Sequence, residues 1–152
     1  MDPEPTVLIS HLLVTNTSFI TSVVLLIILL ACSALISGAE VALFSLTKSN
    51  INEGIENKSV TMQIIATLLE RPKKLLATIL VANNFINIAI VLLFAFLGET
   101  LFKNVTHTLL RFLLEVVSAT FLILLFGEII PKIYASRNSV KFSSFMARPL
   151  RV

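Results

Sequence analysis

Three groups of oxygen-bearing side chains interrupt long apolar runs, and the members of each are spaced to converge. Ser33, Ser37 and Glu40 follow one another at i, i+4 and i+7, which puts them on one face of a helix. Asn83, Asn84 and Asn87 crowd into little more than one turn, and Asn83 and Asn87 share a face that aims two amide carbonyls at one place. In Phe126-Gly127-Glu128-Ile129-Ile130-Pro131-Lys132, Pro131 has no N–H for the carbonyl of Gly127, so that oxygen is freed beside the Glu128 carboxylate. Hydroxyl, amide, carboxylate and carbonyl oxygens together suit a hard cation such as Mg²⁺, Ca²⁺ or Mn²⁺. A Zn²⁺ or Cu⁺ site would need histidines or thiolates, but His11 and His107 are peripheral and Cys32 stands alone.

Plainer readings exist for each group. Serine and asparagine join membrane helices by hydrogen bonds, and Glu128 has Lys132 four residues on as a partner. Depth argues against the plain reading for Glu128. A charged residue at the centre of a membrane helix costs about 2.5–3.5 kcal/mol, and Lys132 can snorkel to the surface while Glu128 cannot. Gly38 permits close helix approach or local unwinding beside Ser37, and Pro131 marks an interrupted helix. Arg111 and Glu115, four apart, read as a structural pair at the outer end.

The elements that carry these residues must cross a membrane. The chain has 152 residues, 56% hydrophobic and 14% charged, with a mean hydropathy of +0.93. Soluble domains run nearer 45–50% apolar and about 25% charged, and a chain this short cannot bury the excess. That excludes a cytosolic enzyme, a disordered tail and a nucleic-acid reader. Apolar stretches at about 19–47, 75–97 and 107–135 each meet the roughly 20 residues a spanning helix needs. No short alternating segments of a membrane barrel occur, so the fold class is an all-α membrane protein with three transmembrane helices.

Residues 1–18 are polar, contain Pro3 and Pro5 and lack lysine and arginine, so the first span is not a cleaved signal peptide. The 48–74 region reads as a helical hairpin, with Ile64, Ile65, Leu68 and Leu69 as one apolar stripe. The 137–152 region reads as a juxtamembrane amphipathic helix with Phe142, Phe145 and Met146 on one side. Lys48, Lys58, Arg71, Lys73 and Lys74 lie between spans one and two, and Lys132, Arg137, Lys141, Arg148 and Arg151 flank or follow span three. Lys103 and Arg111 alone fall on the other side. The positive-inside rule then puts the N-terminus outside and the C-terminus in the cytoplasm, in a plasma or inner membrane. Counted from the cytoplasmic ends at about 1.5 Å per residue, Ser37, Asn83, Asn87 and Glu128 lie at a common depth of roughly 12–18 Å.

Ser37-Gly38-Ala39-Glu40-Val41-Ala42-Leu43, Ala82-Asn83-Asn84-Phe85-Ile86-Asn87 and Phe126-Gly127-Glu128-Ile129-Ile130-Pro131-Lys132 together resemble the transmembrane domain of the cyclin-M/CorC family, in order and across the whole chain. Glu40 is similar to the prokaryotic branch, where animal members usually carry asparagine. The resemblance implies Mg²⁺ efflux coupled to Na⁺ entry, without enzymatic activity, by a homodimer whose subunits each bind a dehydrated Mg²⁺ in an inward-open cavity. It implies Ser33, Ser37, an asparagine among Asn83, Asn84 and Asn87, the Gly127 carbonyl and Glu128 as ligands, with Glu40 a further candidate. It also implies paired nucleotide-binding CBS domains in a full-length chain, which are not in these residues. Read from the residues alone, a membrane-anchored module that senses or is assembled by a bound cation, without conducting it, is the alternative.

Overall fold

The computed structural model describes residues 5–151, with side-chain surroundings from Thr17 onward. The polar segment before the first span therefore lies mostly outside the described side chains. Among the described residues the chain is helical and has no strand. Helix α1 spans Pro5–Phe44, α2 Lys48–Glu56, α3 Val60–Leu69 and α4 Pro72–Leu101. Helix α5, Thr108–Leu122, runs through a π-helical stretch, Ile123–Ile129, into α6, Ile130–Arg137. Helix α7, Ser139–Met146, and a 3₁₀ turn at Pro149–Arg151 follow. Three stretches are long and apolar enough to cross a membrane: Thr17–Phe44, Pro72–Leu101 and Thr108–Arg137.

Local chemistry sets the breaks between them. Thr47 caps α2 reciprocally with Asn50: its hydroxyl accepts from the Asn50 N–H, and the Asn50 side chain accepts from the Thr47 N–H. Ser59 caps α3 by accepting from the Met62 N–H. Pro72 opens α4, where its missing N–H removes a donor that has no helical partner anyway. The 48–74 hairpin of the sequence reading is thus α2 and α3, two short helices with separate caps.

Apolar burial falls into two clusters. Leu26 of α1, Ile90, Phe94 and Leu97 of α4, and Ala119 and Ile123 of the third span form one. Leu43 of α1, Met62 and Ile65 of α3, Leu75 and Ile79 of α4, and Ala147 after α7 form the other. Helix α3 is therefore packed beneath the spans through Met62 and Ile65, with Ile64, Leu68 and Leu69 half-buried around them. Between the two clusters lie Ser33 and Ser37 along α1 and Asn83 and Asn87 along α4, while Gly127 and Glu128 follow Ile123 of the first cluster on the third span. Helix α1 is the hub, touching α4, the π stretch, α6 and α7. Between buried Leu26 and Leu43 its buried face is small (Ser33, Ser37, Gly38, Ala39 and Ala42), which lets backbones approach where lipid supplies no hydrophobic drive for helices to associate.

Two expectations are corrected. The third span is not broken at Pro131; it widens. The Ile130 N–H donates to the Leu125 carbonyl, five residues back. Pro131 then has no N–H for Phe126 in the five-back register or for Gly127 in the four-back register. In either register the proline leaves one carbonyl of this turn without a helical donor. On α7 the buried residues are Ser143 and Met146, while Phe145 is 64% exposed. Phe145 is the residue that leaves the expected stripe; Phe142 keeps the inner face with Met146, its ring received by Gly38, where a Cβ would stand 2.6 Å from it.

That crossing fixes α7 to α1 and generates a prediction. Gly38→Val will push Phe142 out, costing about 1–3 kcal/mol as overpacking does. The expected readouts are a lower Tm in detergent and faster tryptic cleavage at Lys141, and Phe142→Ala in the same chain should recover part of both. An unchanged Tm and cleavage rate in the Gly38→Val chain would show that the two helices do not depend on this contact.

Candidate metal centre

Ser33 is fully buried and faces α4. Its Oγ lies 2.9 Å from Asn87 Oδ1 and 3.2 Å from Asn83 Oδ1. One hydroxyl hydrogen cannot serve two acceptors at once, so two amide oxygens converge on a single donor. Their spacing of four residues along α4 makes this possible, since both side chains leave the same helical face. The Asn87 amide then donates to Glu128 Oε1 at 3.2 Å, in the π stretch. A continuous polar chain, Asn83–Ser33–Asn87–Glu128, therefore links all three spans.

Gly127 sits against the same hydroxyl. A Cβ there would stand 2.9 Å from Ser33 Oγ and 3.4 Å from Ser33 Cβ, so the glycine lets the π backbone come up to α1. Ser37, one turn along α1 from Ser33, is 1% exposed, and its hydroxyl has no hydrogen-bond partner. An unsatisfied buried hydroxyl costs about 1–3 kcal/mol, which a ligand on that oxygen would offset.

Charge is distributed unevenly across the site. Lys132 does not pair with Glu128; its Nζ lies 3.5 Å from Glu40 Oε2 on α1. The Arg111–Glu115 pair, 2.9 Å, closes on itself as the spacing predicts. Among the described residues no cation stands within ion-pair distance of Glu128. A half-buried carboxylate at membrane depth is thus left with one amide donor and no counter-charge of its own.

Of the residues singled out in the sequence, Ser33, Asn83, Asn87, Gly127 and Glu128 are brought together, and Ser37 lies one turn away. Asn84 is not among them. It is exposed and lines an open cleft with Asn87, Ile88, Val91 and Leu92, because one residue of helix turns it about 100° from Asn83. Glu40 is held by Lys132. Sequence reasoning missed Ser143, a fully buried hydroxyl on α7 without a partner. Its spacing of three and four residues from Met146 and Ala147 was the available signal, for those three form the buried face.

A family model described as the cyclin M transmembrane N-terminal domain matches residues 24–152. The chain is also 34% identical over 130 residues to a UPF0053 protein of Haemophilus influenzae, and 28% identical over 123 residues to the UPF0053 inner membrane protein YfjD of Escherichia coli. Those alignments cover 86% and 79% of this chain but 30% and 28% of the relatives, so the chain corresponds to under a third of either. Three apolar helices and an inner-membrane relative make it an integral membrane protein. With the family model matched from the first span to the last residue, the chain belongs to the cyclin M transmembrane-domain family.

Proposed function

We propose that the domain carries Mg²⁺ across the membrane as a homodimer, exporting it against Na⁺ entry, and is a transporter rather than an enzyme. The observation that carries this reading is the convergence of neutral oxygens around one uncompensated carboxylate, between two apolar clusters. The magnesium ion is the cargo. Ser33, Ser37, Asn83, Asn87, the Gly127 carbonyl and Glu128 would hold it. Apart from Glu128 these donors are neutral, so the bound ion keeps much of its charge and is not trapped by an excess of carboxylates.

Donor number favours Mg²⁺ over Ca²⁺. About six oxygens could complete the octahedron of Mg²⁺, whereas Ca²⁺ takes six to eight. The separations from Ser33 Oγ to the two amide oxygens, 2.9 and 3.2 Å, are those of hydrogen bonds centred on the hydroxyl hydrogen. An entering ion would replace the hydroxyl hydrogen as the centre to which those oxygens point. Efflux, Na⁺ coupling and the dimer rest on family likeness, not on this geometry. Exposed Asn84, at bilayer depth, supports a dimer in one respect, because an amide is its own hydrogen-bond complement across a two-fold axis.

Three measurements test the reading. Mg²⁺ at a hundred times its Kd should stabilise the chain by about 2.7 kcal/mol, and Glu128→Gln should lose that shift while unfolding normally without metal. A Glu128→Gln chain that keeps the full Mg²⁺ shift would remove the carboxylate from the site. Titration should also show Mg²⁺ binding tighter than Ca²⁺, with Ser37→Ala weakening Mg²⁺ about tenfold; equal or tighter Ca²⁺ binding would sink the compact cage. For orientation, a cysteine at Asn57 should be labelled only from the cytoplasmic side and one at Thr106 only from outside. The reverse pattern would put the basic loops outside and overturn the direction of transport.

A further inference from the structure

A second site lies at the membrane boundary, away from the polar layer. Between α3, the first turns of α4 and the 3₁₀ turn is a cleft of about 260 Å³, with exposed Arg71, Lys74 and Arg151 around it and Leu68, Leu75 and Leu150 behind. It adjoins a cleft of about 350 Å³ that shares Thr67, Leu68 and Arg151. No acidic side chain lines either one. Glu70, next to Arg71, is exposed and outside both linings. Among the described residues none of the three cations is in an ion pair.

The available hydrogens select for an anion. Thr67 donates its hydroxyl hydrogen to the Gln63 carbonyl and Thr78 to the Lys74 carbonyl, so neither is left to grip a neutral sugar or amide. The side-chain donors that remain in the first cleft are two guanidiniums and an ammonium; the Gln63 amide lines only the adjoining one. Arg71 also starts α4 without a side-chain cap, which leaves the positive end of the helix facing this region.

What lies above the cleft identifies the kind of anion. Lys74, Thr78, Val81 and Phe85 follow at i, i+4, i+7 and i+11 along one face of α4. Val81 is 69% exposed and Phe85 74% exposed. Eleven residues of helix rise about 16 Å, close to the depth of one leaflet's hydrocarbon. A cationic pocket thus continues into an apolar track of acyl-chain length. We infer that this cleft binds an anionic phospholipid, its headgroup phosphate on Arg71, Lys74 and Arg151 and one acyl chain along Val81 and Phe85.

Native mass spectrometry and thermal unfolding in detergent, with added phosphatidylglycerol, phosphatidylcholine or inorganic phosphate, test the assignment. Phosphatidylglycerol should bind and raise Tm, phosphatidylcholine much less, and inorganic phosphate should do neither at millimolar concentration. Changing Arg71, Lys74 and Arg151 together to glutamine should weaken phosphatidylglycerol roughly a hundredfold, from about fivefold per charge near a membrane surface. Should that triple variant fail to fold, Lys74→Gln alone should show the fivefold loss. Changing exposed Lys48, Arg137 and Lys141 together to glutamine should leave binding within twofold, and Phe85→Ala should weaken the lipid severalfold. An equal loss in the Lys48, Arg137 and Lys141 variant would mean diffuse charge attraction and overturn the site. Saturation by inorganic phosphate as readily as by lipid would make it a pocket for soluble anions and overturn the lipid assignment.

Discussion

Ser33 is where three spans meet. Its hydroxyl hydrogen is offered to two amide oxygens of α4, and its side chain fills the space that any residue larger than glycine would need at position 127. The same Asn87 that takes this bond turns its amide to Glu128. Each partner thereby holds another in place: the amide orientations follow from the hydroxyl, and the carboxylate's position follows from the amide. Buried polar chains of this kind specify one arrangement of helices, because any slip leaves a dipole stranded in a medium that cannot solvate it.

The two apolar clusters give that chain its setting. Lipid tails are as apolar as leucine, so burial of Leu26, Phe94 or Leu43 does little by itself to draw helices together. What apolar packing does here is hold α1 and α4 together on either side of the polar layer. The small residues of α1 let α4, α6 and α7 come close enough for short side chains to reach across. Pairing Lys132 with Glu40 has a further effect. It withdraws the nearest fixed cation from Glu128, so the layer holds one negative charge that a mobile cation can answer.

Much of this was legible in the residues. The three spans follow from apolar length alone, and the facing of Asn83 and Asn87 follows from their spacing of four. The exclusion of Asn84 could have been read from the same wheel, since it is one residue from Asn83 and cannot share its face. Other features depend on contacts between distant segments and have no local signal. Glu40 is seven residues from Ser33, on the expected face, yet its partner comes from another helix, and competition between Glu128 and Glu40 for Lys132 is decided only by packing. Phe142 stays with Met146 as periodicity has it, but that its ring would meet a notch at Gly38 of α1 has no local signal. Pro131 announced an irregularity; whether the helix would break or widen was a question of which hydrogen bonds the surroundings allow.

The π stretch also sets a rule about chain length. A five-back ring holds one more residue than a four-back ring, so Ile123–Ile129 stores a single surplus residue inside an otherwise regular span. Rewinding the stretch to α geometry without removing that residue would turn everything beyond it by about 100°. Lys132 would then face away from Glu40, and Ala135 would leave its buried position. Apart from Gly127 and Glu128, residue identity in this stretch can drift as long as volume and polarity are kept. Residue number and winding must change together: altering either one alone rotates half a helix.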